Sequence, residues 1–309
     1  MTRLLLTRDA RPSSGLWRKL IEYAAYPGIL AGSMALAMLL FTAGVSAFLA
    51  VPLVIGTSGA IVIVLEIVHP YVADWRVDAV TLKADLMHTI FSTGGVQVIF
   101  EAAAAGALVA AAQHLPTAAT TWPSGLPMVA QLVLALVVVE FGTYWVHRWF
   151  HVVDVGWRIH SLHHSSGQMY ILASARNHPL AVLLMSAAQL TPLLLAGVGD
   201  EVIALAAAFT AVHGMIQHAN IEMRPGPLHW FFSAPDLHRW HHAVAIEDAN
   251  ANYGNNLIVW DVVFGTRFLP VDRPVPRQAG VAGMRFPDRY VAQLAVPFIF
   301  KRLYLDPTT

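Results

Sequence analysis

The stretch MVAQLVLALVVVEFGTYWVHRWFHVVDVGWRIHSLHHSS, residues 128–166, joins a long apolar run to two clusters of histidines. Between positions 128 and 147 the only charged side chain is Glu140. About 20 apolar residues are enough for a helix to cross a bilayer. The stretch therefore predicts a membrane-spanning helix that ends in histidines, followed by a loop that carries more of them.

Histidines recur in three clusters of similar spacing. HRWFH occupies residues 147–151, HSLHH residues 160–164 and HRWHH residues 238–242. Residues three and four apart share one face of a helix, so each cluster would project two or three imidazoles from one stripe. Neutral imidazole binds zinc, copper, iron and nickel. The clusters predict a site for two metal ions, with these candidate ligands: His147, His151, His160, His163, His164, His238, His241 and His242.

The composition indicates a membrane protein. The 309 residues are 56% hydrophobic and 12% charged, whereas a soluble domain carries about 25% charged residues. Six apolar runs predict six spans, with four spans and a re-entrant hairpin as the alternative. The runs are 28–49, 51–68, 87–112, 128–147, 179–198 and 201–219.

The positions of the basic residues predict the orientation. With six spans and a cytoplasmic N-terminus, the segments near 50, 113–127 and 199–200 lie outside, and these contain no Lys or Arg. All basic residues then fall on the cytoplasmic side, as the positive-inside rule requires. Both termini and all three histidine clusters are expected on that side. Transport or proton-relay residues would be expected nearer the middle of the bilayer.

The residues that the chain lacks narrow the chemistry. It has no cysteine, which excludes thiolate-bound iron–sulfur clusters, haem-thiolate chemistry and disulfides. There is no HExxH metalloprotease motif. One Glu-x-x-His pair, Glu66 and His69, matches the pattern of soluble di-iron proteins, but a single copy is interpreted as chance.

The three clusters resemble the histidine boxes of the fatty acid hydroxylase / sterol desaturase superfamily of membrane di-iron oxygenases. The resemblance covers roughly residues 135–268, and a fainter likeness lies in DLMH at 85–88. Further similar motifs are HSLHHSS at 160–166, RNHP at 176–179, QHAN at 217–220, NYG at 252–254 and WDVVFGT at 260–266.

The resemblance implies that the eight clustered histidines bind two iron ions, with O2 as co-substrate. His218 matches a further ligand position of the family. The position one turn earlier, where members often carry another ligand, is Gly214, so His213 would serve as the tenth ligand only if the helix bulges locally. His178 is either a partner of the ligands or a helix cap. Asp154, Asp236 and Asp261 are candidates to hydrogen-bond the ligating imidazoles, or else are caps or solvated charges.

The expected function is O2-dependent hydroxylation of a lipid, such as a sterol or a fatty acyl lipid. Desaturation by the same di-iron site is the alternative within enzymes, and a membrane metal transporter or sensor is the alternative of another class. Electrons must come from a separate ferredoxin- or cytochrome b-type protein with its reductase. Arg148, Arg158 and Arg239 are candidates for its docking patch, or else are ordinary cytoplasmic anchors. No nucleic-acid partner is expected.

The predicted fold is an all-α polytopic membrane helix bundle with a cytosolic cap that carries the histidine-rich dimetal site. Residues 1–120 would be N-terminal spans, partly an addition to the family core. Residues 121–268 would form the hydroxylase-like core. Residues 269–309 would form a loop and a membrane-surface segment, with a surface helix over Tyr290–Leu305.

Overall fold

The computed structural model describes residues 15–112 and 121–304. Over these two ranges the protein is helical, with isolated β-bridges and no β-strand. This confirms the all-α prediction. The basic residues Arg3, Arg8 and Arg11 and the loop around His114 lie outside the described residues.

The longer helices occupy the first two thirds of the chain. They are α1 (Leu16–Thr42), α2 (Ala47–Val68), α3 (Ala79–Met87), a π-helix (His88–Gly95), α4 (Val96–Ala112), α5 (Met128–Val152), α6 (Asp154–His164), α7 (Pro179–Ala196) and α8 (Asp200–His218). Shorter helices follow: α9 (Pro235–His241), α10 (Ile246–Ala249), α11 (Val259–Phe264), α12 (Tyr290–Gln293) and α13 (Val296–Ile299). Short 3₁₀ turns span Ile171–Ala175, Gly226–Trp230 and Phe300–Arg302.

Four described helices, α1, α2, α5 and α7, are long and apolar enough to cross a membrane. The prediction of six spans is therefore not confirmed. Helix α4 has 17 residues and follows the π-helix, and α8 begins with Asp200 and Glu201 and ends with His218. The first apolar run, 28–49, does not match one helix, because α1 begins earlier with charged residues in its first turns and ends at Thr42, and α2 begins at Ala47.

Helix α8 packs against α1, α2 and α5 and buries most of one face. Leu205, Val212 and Ile216 on this face are almost fully buried. Helix α5 packs closely on α7, where a Cβ added at Gly142 would lie 2.9 Å from the Ala188 carbonyl oxygen. The last turns of α5 and α8 carry His147, His151 and His218, so this packing positions the candidate ligands.

The C-terminal segment covers α6 instead of forming one helix. It is divided into α12, α13 and a 3₁₀ turn. Val296 and Phe300 pack with Leu162 of α6 in a small apolar cluster. The segment thus stabilises the helix that carries the second histidine cluster, and its placement on the membrane surface stays a prediction.

Candidate metal centre

Nine of the ten predicted ligands lie together in two groups of buried histidines. The five-histidine group contains His147, His151, His160, His164 and His241. The four-histidine group contains His163, His218, His238 and His242. Within each group, ligand nitrogens lie within 4.8 Å of one another.

Two short helices contribute to both groups. His163 and His164 of α6 are adjacent in sequence but belong to different groups, because successive residues on a helix point about 100° apart. The third cluster divides in the same way, with His241 in the five-histidine group and His242 in the four-histidine group. Helices α6 and α9 therefore connect the two groups.

A loop after α10 orients two members of the five-histidine group. His147 Nδ1 donates to the Tyr253 carbonyl oxygen at 2.7 Å, and His241 Nδ1 donates to that of Ala251 at 2.7 Å. These bonds fix the tautomers and leave both Nε2 atoms as unprotonated acceptors. The two Nε2 atoms are 3.0 Å apart. Since two lone pairs at this distance repel each other, the arrangement fits a cation held between the rings.

In the four-histidine group, His218 is oriented by its own helix. His218 Nδ1 donates to the Gly214 carbonyl oxygen one turn earlier, at 2.8 Å. Its Nε2 then lies 3.2 Å from His163 Nε2 and 3.0 Å from His238 Nε2. This group also presents converging ring nitrogens, so its donor set fits a metal ion as well.

Three buried nitrogens of the five-histidine group have no hydrogen-bond partner among the described residues: His151 Nε2, His160 Nδ1 and His164 Nε2. Leaving a buried polar group unpaired costs about 1–3 kcal/mol, which a bound metal would offset. Burial, and then the neighbouring imidazoles, lower the pKa of the histidines on α6 and α9. These rings are therefore neutral at pH 7, the form that binds metals.

Two buried carboxylates hold the loop that orients His147 and His241. Glu140 of α5 accepts from the backbone N–H groups of Asn255 and Asn256. Asp261 accepts from Tyr253 N at 2.8 Å and Gly254 N at 2.7 Å. Burial raises the pKa of Asp261 to about 6, against the effect of its hydrogen bonds. Asp261 thus contacts the loop instead of an imidazole. Sequence reasoning missed Glu140, whose only signal was a lone charge in an apolar run.

The other predicted partners of the ligands lie elsewhere. Asp154 pairs with Arg158 on the exposed side of α6, and Asp236 lies 3.6 Å from His229. Arg239 is buried and donates to the carbonyl oxygens of Ala219 and Ile221. The suggestion that Arg239 helps to dock a protein was therefore wrong.

His213 is the predicted ligand that belongs to neither group. Its Nε2 is hydrogen-bonded to the Tyr26 hydroxyl at 2.8 Å, and its ring stacks on Phe209. Helix α8 continues as an α-helix through this position, so the bulge that would bring it to the ligands is absent. His178 caps α7, because its Nδ1 accepts from Leu180 N.

Two carboxylates of the N-terminal half, Glu66 and Asp85, bind the segments that follow α6 and α8. Glu66 Oε1 accepts from Ile171 N at 2.9 Å and Asn220 N at 2.8 Å. Asp85 is fully buried and accepts from Arg176 through Nε at 2.7 Å and Nη2 at 3.0 Å. These carboxylates connect residues 66 and 85 to the loops after α6 and α8.

A third group of possible ligands consists of Glu22, His69 and Glu222. Arg224 lies 2.9 Å from Glu22 and 3.8 Å from Glu222. Arg224 pairs with both carboxylates, so its guanidinium offsets one of their two negative charges and the group forms an ion-pair cluster.

A family model described as fatty acid hydroxylase matches residues 132–266. The ornithine lipid hydroxylase OlsE of Rhizobium tropici is 39% identical over 245 residues, which cover 77% of this chain and 72% of OlsE. The chain belongs to the fatty acid hydroxylase family. All nine grouped histidines lie within the part that the family model matches.

Other relatives in the fatty acid hydroxylase superfamily match a smaller share of the chain. Alkylglycerol monooxygenase of Homo sapiens is 33% identical over 132 residues, 43% of this chain but 29% of its own length. Sphinganine C4-monooxygenase 2 of Arabidopsis thaliana is 28% identical over 158 residues, 50% of this chain and 60% of its own. No solved structure matches the chain significantly. The membership and the apolar helices identify a membrane oxidoreductase.

Proposed function

We propose that this protein hydroxylates a membrane lipid with O2, and that each histidine group holds one iron ion. The observation that carries the proposal is the convergence of nine buried imidazoles into two groups. The identity to an ornithine lipid hydroxylase supports a lipid of that type as substrate.

A pair of iron ions, held by the two histidine groups, would supply the redox chemistry that transfers two external electrons to O2 for hydroxylation of a C–H bond. The balance is one C–H group, O2, two electrons and two protons, giving one C–OH group and water. The protein's own residues hold and orient the site. The backbone carbonyls of Ala251 and Tyr253 fix two ligands, and buried Phe150 stacks on His160 and helps to exclude water.

The electrons require a separate carrier, because the chain has no cysteine for an iron–sulfur cluster. A ferredoxin- or cytochrome b-type protein with its reductase is proposed. Arg148 and Arg158 remain candidates for its docking patch. With the six spans of the sequence prediction, the distribution of basic residues supports a cytoplasmic position for both termini and the metal centre.

The domain division is also a proposal. Residues 121–268 would form the catalytic core, in agreement with the family match at 132–266. Residues 1–120 would supply further spans, and residues 269–309 the segment that covers α6.

The test is iron content and O2-dependent turnover of an ornithine lipid by the detergent-purified, iron-loaded protein, supplied with a reductant. A His163→Ala/His241→Ala double variant removes one ligand from each group. About two irons per chain and an oxidised lipid in the wild type, both lost in the variant, are expected. A product heavier by one oxygen indicates hydroxylation, and one lighter by two hydrogens would overturn it in favour of desaturation. Little iron in the loaded wild type would overturn the metal assignment.

A further inference from the structure

Two cavities adjoin beside the metal centre, with volumes of about 310 and 360 Å³. They share four lining residues, so they form one continuous groove: Arg76, Val77, Gln168 and Tyr170. Each volume lies within the range of a small-molecule site, which is about 300–1,000 Å³.

The first cavity is charged, with both signs represented. Arg76, Arg285 and Asp288 line it and are exposed. None of the three side chains has an ion pair or hydrogen bond in the described part of the chain. Asp78 also lines the cavity, but its carboxylate caps α3. Two unpaired guanidinium groups and one unpaired carboxylate are thus left to face a ligand.

The second cavity leads toward the membrane. Ile63 and Ile67 of α2 line it, and α2 is one of the candidate spans. Their side chains are 46% and 75% exposed, as expected for residues that face lipid. The groove therefore runs from a bilayer-facing helix to a charged mouth.

No grouped histidine lines the groove, but its wall includes the residues that directly follow the second histidine cluster. Ser165 and Ser166 line the charged cavity directly after His163 and His164. Arg176 forms part of the same wall, where Asp85 holds its guanidinium in a bidentate ion pair. A molecule in the groove would lie against the end of the helix that contributes to both histidine groups.

We propose that this groove binds the head group of a zwitterionic lipid, one that carries a carboxylate and an ammonium group. The inference rests on the proposed function and specifies its substrate. Arg76 and Arg285 would bind the carboxylate, because guanidinium groups pair with carboxylates in fixed geometry. Asp288 would bind the ammonium, and the acyl chain would leave along α2 into the bilayer. An acylated ornithine has both charges, whereas a sterol or a diacylglycerol has neither.

The experiment measures equilibrium binding to the full-length, iron-loaded protein in detergent. Three probes are compared: a short-chain ornithine lipid, phosphatidylglycerol, which is anionic without an ammonium, and diacylglycerol, which is uncharged. Arg76→Gln and Arg285→Gln are expected to weaken ornithine lipid binding about tenfold or more each. Asp288→Asn is expected to weaken binding of the ornithine lipid only. Arg302→Gln is the control, since Arg302 is exposed and lies outside the groove.

Measurements of turnover distinguish the groove proposal from the hydroxylase proposal. In the groove variants KM for the ornithine lipid should rise while kcat stays close to that of the wild type, because the residues bind the head group and not the reacting carbon. Equal binding of all three probes, or groove variants that behave like Arg302→Gln, would overturn the groove assignment while leaving the hydroxylase standing. Specific binding that depends on Arg76 and Arg285, without oxidation of the lipid, would overturn the hydroxylase instead.

Discussion

The two histidine groups hold similar rings in different ways. In the five-histidine group, His147 and His241 are oriented by carbonyl oxygens of a loop that two buried carboxylates support. In the four-histidine group, His218 is oriented by the carbonyl of its own helix, one turn earlier. The orientation of His147 and His241 therefore depends on a loop far away in sequence, whereas that of His218 depends on the geometry of α8. The five-histidine group should therefore be the more sensitive to changes away from its ligands.

The largest expected effect comes from removing one ligand of each group separately. His241→Ala and His242→Ala should each lower the iron content from about two to about one per chain. Turnover should fall by more than about 100-fold in both, since even the outer partners of metal ligands are worth 10–100-fold. His229→Ala is the control, because His229 lies outside both groups. Loss of both irons from either variant would show that the two groups form one cooperative site.

Glu140→Gln tests the support of the loop. The amide would place an NH2 group against a backbone N–H, because both carboxylate oxygens now accept from Asn255 and Asn256. In a His242→Ala background only the five-histidine group is intact. There, Glu140→Gln should lower the iron affinity of that group about 10–100-fold. In a His241→Ala background the iron affinity should hardly change. Competition with a chelator measures the iron affinity in both backgrounds.

The control for this prediction is Glu101→Gln, on an exposed glutamate of α4. It should leave iron affinity unchanged in both backgrounds. An equal loss in the two backgrounds for Glu140→Gln would mean that the loop supports the whole centre and that the contrast between the groups is wrong.

Gly254→Ala tests the same loop by steric means. An added Cβ would lie 2.3 Å from the Leu257 carbonyl oxygen and 3.0 Å from Asp261 Oδ2. The loop must shift, at a cost of about 1–3 kcal/mol, and with it the carbonyl that orients His147. A lower thermal midpoint in detergent is expected. Gly28→Ala, where an added Cβ meets nothing within 4 Å, should leave the midpoint unchanged or raise it slightly.

Helix periodicity and residue chemistry were enough to predict which histidines cluster. Spacings of three and four residues determine which imidazoles share a face, and the histidines of α5, α6 and α9 do converge. The division into two groups could not be predicted, because it depends on how α6 and α9 cross the ends of α5 and α8. The roles of Glu140 and Glu66 could not be predicted either, since each binds backbone groups far away in sequence. Hydropathy found the apolar helices but misplaced the start of α1, where charged residues belong to the helix.

The smallest expected effect concerns His213, the candidate for a tenth ligand. Its contacts are with Tyr26 and Phe209, so His213→Gln should leave about two irons per chain. The free energy of unfolding should fall by about 1 kcal/mol, the contribution of a single hydrogen bond. His218→Gln, on the same helix, should lose iron and turnover.

A double-mutant cycle of His213→Gln with Tyr26→Phe should give a coupling energy of about 1 kcal/mol, because the two side chains bond to each other. Two results together would contradict this prediction: loss of iron in His213→Gln, and no coupling energy between His213 and Tyr26. The His213 ring would then bind metal when iron is present, and α8 would have to bulge locally to bring the ring to the metal.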